Sequence, residues 1–290
     1  MKEFSRLHPL VSFIYFAVMI GFSMFLMHPF FLAASLFCAL VCTAVLRGRA
    51  LFRTLAVTLP IAILTAAVNP LFNHGGQTII TYFKSGNPLT LESLIFGAAA
   101  GVLLMCVMLW FSCFNAVMTA DRLMCVFSRI SPALSLTLSM ILRFLPRFRS
   151  RLSELINAQK GIGRSLTSGS LASRMKSGIG IFSAMITWSL ENAVDVSDSM
   201  HARGYGTGRR SAYSTFRFAK RDLFFLFATL ALAAFVFVKI LLGSADFSYF
   251  PAISALTFDY VYIPYFLLGL LPAIYEIAEV IRWKSSELKI

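Results

Sequence analysis

The chain has 290 residues, 58% of them hydrophobic and only 13% charged, with a mean hydropathy of +0.77. A soluble domain carries about a quarter charged residues, so a water-soluble globule is excluded. The net charge of +13 would suit a nucleic-acid binder, but the placement of that charge argues for a different origin.

Apolar runs near the ~20 residues needed to cross a bilayer make this a polytopic membrane protein. Lipid offers backbone groups no hydrogen-bond partners, so the spans are predicted as helices. The alternating segments of about ten residues that mark a membrane β-barrel are absent. Six spans are read, roughly 10–27, 30–46, 51–72, 92–119, 222–242 and 261–282. His28-Pro29 is a tight outer turn between the first two, and Arg47-Gly48-Arg49 marks the return. The third span closes on Asn69-Pro70-Leu71-Phe72-Asn73-His74-Gly75-Gly76, a dense set of turn residues, and Thr78 to Phe83 reads as a short strand or interfacial piece. The fourth segment exceeds one minimal span and has room to tilt or project. The five cysteines lie within or beside spans and form no CxxC pair, which argues for packing rather than disulfide or zinc chemistry.

Between the fourth and fifth spans lies a basic, helix-patterned block. The chain thus divides into 1–119 with four spans, 120–221 as the block, and 222–290 with two spans. A short helix is predicted over Asp121–Arg129. Ser131-Pro132 starts a second, with Ser as N-cap and Pro at the first helical position. Pro146 is expected to kink that helix, after which Arg147, Arg149 and Arg151 make it basic. A Gly- and Ser-rich turn runs from Gly161 to about Ser173. A third helix, about Met175 to Arg203, carries an apolar face through Ile179, Phe182, Ile186 and Leu190 and an acidic stripe of Glu191, Asp195 and Asp198. Arg203 falls in its last turn and Gly204 at a left-handed C-cap. Trp188 suits either a membrane–water boundary or a buried position.

Six crossings put both termini on one side. That side collects all but Lys84 and Lys239 of the 26 basic residues, sixteen of them in the block. By the positive-inside rule it is cytoplasmic, so the basic excess is topological and nucleic acid is not the partner. Arg203 at a helix end can pair bidentately with a carboxylate on a partner, and Gly204 lets that partner's backbone approach; an exposed cap is the bland alternative. Arg143 and Arg147, four apart, share a helix face that either holds the helices of the block against one another or a partner, or is a plain solvated or lipid-headgroup face. The chain has no Gly-x-x-x-x-Gly-Lys-Ser/Thr phosphate loop and no His or carboxylate pairing, so neither catalysis nor cofactor nor metal binding is expected. Glu276 and Glu279, in the last span, read as a pairing site near the interface.

Several motifs taken in order resemble the transmembrane T component of energy-coupling factor (ECF) transporters, the EcfT/CbiQ-like family. They are Leu7-His8-Pro9-Leu10, Asn69-Pro70-Leu71-Phe72-Asn73, Thr119-Ala120-Asp121-Arg122, Arg143-Phe144-Leu145-Pro146-Arg147, Ala158-Gln159-Lys160 and Ala202-Arg203-Gly204-Tyr205-Gly206. The resemblance implies an all-α membrane subunit with about six transmembrane helices plus cytoplasmic amphipathic coupling helices, in a bacterial or archaeal cell membrane. It implies two cytoplasmic ATPases and a substrate-binding S component as partners, with a vitamin, vitamin precursor or transition-metal ion as cargo. It assigns ATPase docking to Ala202, Arg203 and Gly204, and helix support to Arg143, Pro146 and Arg147. The family's first docking motif departs here: Gly161-Ile162-Gly163-Arg164 puts Ile162 at the expected arginine. Either Lys160 or Arg164 supplies the charge, or that turn docks differently, on a non-identical ATPase. Two other classes stay open, a stand-alone secondary transporter or channel and an intramembrane enzyme; the first would need inverted repeats and the second convergent polar residues.

Overall fold

The computed structural model describes residues 4, 7–82, 88–163, 170–208, 216, 218–244, 247–251, 253–254 and 259–287. Nine α-helices and one hairpin are found among them: α1 (Pro9–Phe25), α2 (Pro29–Arg47), α3 (Ala50–Phe72), β1 (Ile79–Tyr82), β2 (Pro88–Thr90), α4 (Leu91–Val117), α5 (Ala120–Ile130), α6 (Pro132–Gly161), α7 (Leu171–Ala202), α8 (Lys220–Lys239) and α9 (Tyr262–Glu287). The protein is an all-α polytopic membrane protein. α2, α3, α4 and Lys220–Gly243 are long and apolar enough to cross a bilayer, and Pro9–Phe25 and Tyr262–Ala278 are shorter apolar helices. The chain divides into two compact units, Met1–Leu123 with Phe216–Ile290 and Met124–Thr215, the division falling within α5.

In the first unit two spans open with the same device. The imidazoles of His8 and His28 each accept from the backbone N–H two residues on, and Pro9 and Pro29 fill the first helical position. An imidazole must be neutral to accept, and burial holds His28 below the ordinary histidine range. The predicted strand is β1, paired antiparallel with β2. Thr90 then caps α4 by accepting from Ser93.

The core is aromatic. Trp110, Tyr15, Tyr265, Phe4, Phe16 and Phe31 are its largest fully buried side chains, and Phe4 meets Tyr15, Phe16 and Phe225 edge-on at 5.6–6.2 Å. Its polar atoms answer a membrane problem. Pro272 inside α9 has no N–H, which leaves the carbonyl of Leu268 without its helical partner. The buried Tyr15 hydroxyl donates to that carbonyl at 3.2 Å and to Gly269 at 3.1 Å. Trp110 donates from Nε1 to Ser35, whose hydroxyl also pairs with Ser23 at 2.8 Å. The cysteines are free, and four of the five are buried in packing positions.

Glycines set the closest approaches. A Cβ on Gly101 would lie 2.5 Å from the Ala62 carbonyl, and one on Gly97 2.7 Å from that of Ala66. Small residues four apart on both helices therefore let α3 and α4 pack backbone to backbone.

Candidate functional site

Two motifs far apart in sequence meet at one end of the first unit. Arg122 is buried, and its guanidinium donates to the carbonyl of Val117 at 2.9 Å and to that of Leu7. Val117 ends α4, so the cation satisfies a carbonyl that the helix itself leaves open. The next residue, His8, donates its backbone N–H to the buried Asp222 at 3.3 Å, and the other oxygen of Asp222 accepts from Ala219 at 2.9 Å, closing the start of α8. Glu276 is buried and accepts from the Phe4 N–H at 2.8 Å. It is a backbone anchor for the N-terminal segment; the Glu279 side chain lies outside the described residues. Sequence reasoning missed the part played by Asp222, although an acidic residue in a first helical turn is a usable signal.

The second unit is built on two long helices, α6 of 30 residues and α7 of 32. Ser131 caps α6 by accepting from Leu134, and α6 then runs as one assigned helix past Pro146. α7 starts at Leu171 because Ser170 accepts from the Ser173 N–H, so the expected turn is shorter than its Gly- and Ser-rich composition suggested. Trp188 is half-buried, edge-on against Phe148 at 5.2 Å, which joins the two helices.

Little else in this unit is covered. Leu171, Met175, Ile179, Phe182, Ile186, Leu190 and Val194 are all exposed, by 45–77%. Their steps of three and four residues make one apolar stripe along α7. A groove of about 650 Å³ between α6 and α7 gathers Arg143 and Arg147 from one helix with Asp195 and Arg203 from the other. All four side chains are exposed, and among the described residues the three arginines make no ion pair with Asp195. Glu191 and Asp198, the rest of the acidic stripe, do not line it. The arginines are therefore open to an incoming anion.

Both helices end in turns of the same construction. α7 ends at Ala202, with Arg203 as C-cap at φ −84°, ψ 8° and Gly204 at φ 77°. The Gly204 N–H donates to His201 at 2.9 Å and that of Tyr205 to Met200 at 3.0 Å, the paired bonds of a Schellman cap. α6 ends at Gly161, with Ile162 as C-cap at φ −93°, ψ 15° and Gly163 at φ 78°. Arg164 lies outside the described residues.

Comparison with known proteins gives one consistent result. The family model CbiQ, described as cobalt transport protein, matches residues 4–214. The energy-coupling factor transporter transmembrane protein EcfT of Staphylococcus aureus is 31% identical over 106 residues, 36% of this chain and 40% of that protein. EcfT of Lactobacillus helveticus is 34% identical over 91 residues, 31% of this chain and 33% of that protein. A putative ABC transporter ATP-binding protein of Bifidobacterium longum is 33% identical over 98 residues, 33% of this chain and 13% of that protein. The chain thus spans less than half the length of each of these relatives.

Proposed function

This chain belongs to the EcfT/CbiQ-like family, and from that premise we propose that it is the T component of an ECF-type importer, a non-catalytic subunit that carries force between ATPases and a substrate-binding membrane subunit. The transported solute is a vitamin, a vitamin precursor or a transition-metal ion, selected by the substrate-binding partner. Both termini and the second unit face the cytoplasm, where two ATPases dock at Ala202-Arg203-Gly204 and at Gly161-Ile162-Gly163-Arg164.

One observation carries this reading: an exposed arginine sits at the Schellman cap of a 32-residue helix whose apolar stripe is also exposed. A rod of that kind suits force transmission. Its long hydrogen-bonded backbone resists bending, and its tip presents a fixed guanidinium to a carboxylate. Gly204 holds the turn in a left-handed conformation that a side chain would strain, so the geometry of the tip does not depend on Arg203 itself. The apolar stripe gives a membrane partner a surface to bury. Arg143 and Arg147 support the tip from the neighbouring helix, and Pro146 between them marks the position at which α6 flexes. ATP binding and hydrolysis belong to the partners.

The test is Arg203→Glu in the full chain, expressed with its partners. Repulsion from the carboxylate should lower ATPase co-purification by about tenfold or more and abolish uptake, with the chain's own melting temperature unchanged. Full retention of the ATPases together with normal uptake would remove the docking role.

A further inference from the structure

Beyond that coupling role, we propose that the groove between α6 and α7 is a phosphate-binding site that takes the headgroup of an anionic phospholipid. Arg143, Arg147 and Arg203 hold the phosphodiester, and the apolar side chains on the same walls hold the glycerol backbone and the start of the chains.

The sequence builds this groove by spacing. Arg143 and Arg147 stand one turn apart on α6, so their guanidiniums leave the helix on one face. Leu136, Met140 and Phe144 follow the same three- and four-residue steps and complete that wall. α7 answers with Val196, Met200 and Arg203 at the same steps. The result is a trough of about 650 Å³ in which cations and apolar side chains alternate.

The charge in it is unbalanced. Among the described residues, three guanidiniums line the groove against the single carboxylate of Asp195, and none of them pairs with it. Like charges gathered without a counter-ion repel one another, so the groove gains most from an anion that several donors can share. A protein carboxylate presents two oxygens, which one guanidinium fork satisfies. A phosphodiester offers ester oxygens as well as its charged pair, and Ser139 and Ser199 stand on the lining as further donors.

Two observations select a lipid over a soluble phosphate. A free phosphate has nothing to lay against Met140, Phe144 and Met200, whereas lipid carbon takes those side chains out of water. The chain also leaves one span at Val117 and enters the next at Lys220, so both ends of the second unit are tied to the bilayer. Basic groups held beside a span attract anionic lipid. On α6 the neighbouring Leu134, Ile141 and Leu145 are exposed, an apolar surface that suits the headgroup–chain boundary.

The experiment uses the full chain, purified in a mild neutral detergent without ATPases. Its native mass is measured after addition of phosphatidylglycerol, phosphatidylcholine or inorganic phosphate. One phosphatidylglycerol is expected to stay bound, retained about tenfold or more over phosphatidylcholine, whose phosphate charge is cancelled by its own choline. An excess of inorganic phosphate should not displace it. Arg143→Gln combined with Arg147→Gln should cut retention by about tenfold or more. Arg149→Gln combined with Lys176→Gln removes the same charge outside the groove and should not. All four of these side chains are exposed, so both double variants should keep the melting temperature of the unaltered chain, which separates lost binding from lost folding. Equal retention of the two lipids overturns the proposal, as does equal loss in the two double variants, which would mark diffuse surface charge. Displacement by inorganic phosphate overturns it in favour of a soluble ligand. No lipid on the lone chain, with ATPases lost from the assembled complex on Arg143→Gln and Arg147→Gln, overturns it in favour of a partner's carboxylate. Because the lipid measurement needs no ATPase, its failure leaves the docking role of Arg203 standing, and failure of that role leaves the lipid site standing.

Discussion

The two units both leave apolar side chains exposed, as Phe25, Phe72 and Phe224 do in the first, but differ in what they bury. The first encloses Trp110, Tyr15 and Tyr265 completely and meets two freed backbone carbonyls with a side chain, as Tyr15 does for Leu268 and Arg122 does for Val117. The second has Ile181 and Val126 as its buried apolar side chains among the described residues, and leaves seven large ones exposed along α7 alone. Enclosure makes a unit that holds its own shape. Exposure leaves one with apolar surface still available to bury. The proposed coupling role would use both, a rigid anchor in lipid and a surface free to engage partners.

That contrast can be broken by substitution. Trp110→Ala in the first unit empties a fully buried site and removes one of the two hydrogen bonds of the Ser35 hydroxyl, leaving that to Ser23. The expected cost is about 3–5 kcal/mol, read as a large drop in melting temperature in detergent. Gly101→Val drives a branched side chain toward the Ala62 carbonyl and forces α3 off α4, at about 1–3 kcal/mol or more. Cysteine cross-linking between the two helices should weaken in step. Phe182→Ser in the second unit should change the melting temperature of the lone chain by an amount equivalent to only about 0.5 kcal/mol, since the side chain is 67% exposed. The same variant should reduce co-purification of the membrane partner. A large loss of stability from Phe182→Ser, with Trp110→Ala tolerated, would reverse the assignment of anchor and docking surface.

Much of the architecture was legible beforehand because membrane spans are written in composition. Each needs a long apolar run, and the cations collect at its ends. Caps were legible too, because Ser131-Pro132 and Arg203-Gly204 pair a residue type with a backbone need that is local. The Gly97/Gly101 contact could have been found from small residues four apart, matched by Ala62 and Ala66, but the spacing alone does not say which helix answers which. Asp222 was overlooked for a similar reason. Its first-turn position was visible, while its bond to His8 spans more than two hundred residues of chain.

From the order of residues alone came the helical membrane class, the basic block between the spans and the two candidate turns, since these depend on hydrophobicity, charge and local backbone preference. Only the folded chain decided that Arg122 is a buried staple, that Arg143, Arg147 and Arg203 share one groove, and that Ile162 stands where its counterpart is Arg203. Those facts depend on where distant segments and successive backbone angles bring side chains in space, and linear spacing does not encode that placement.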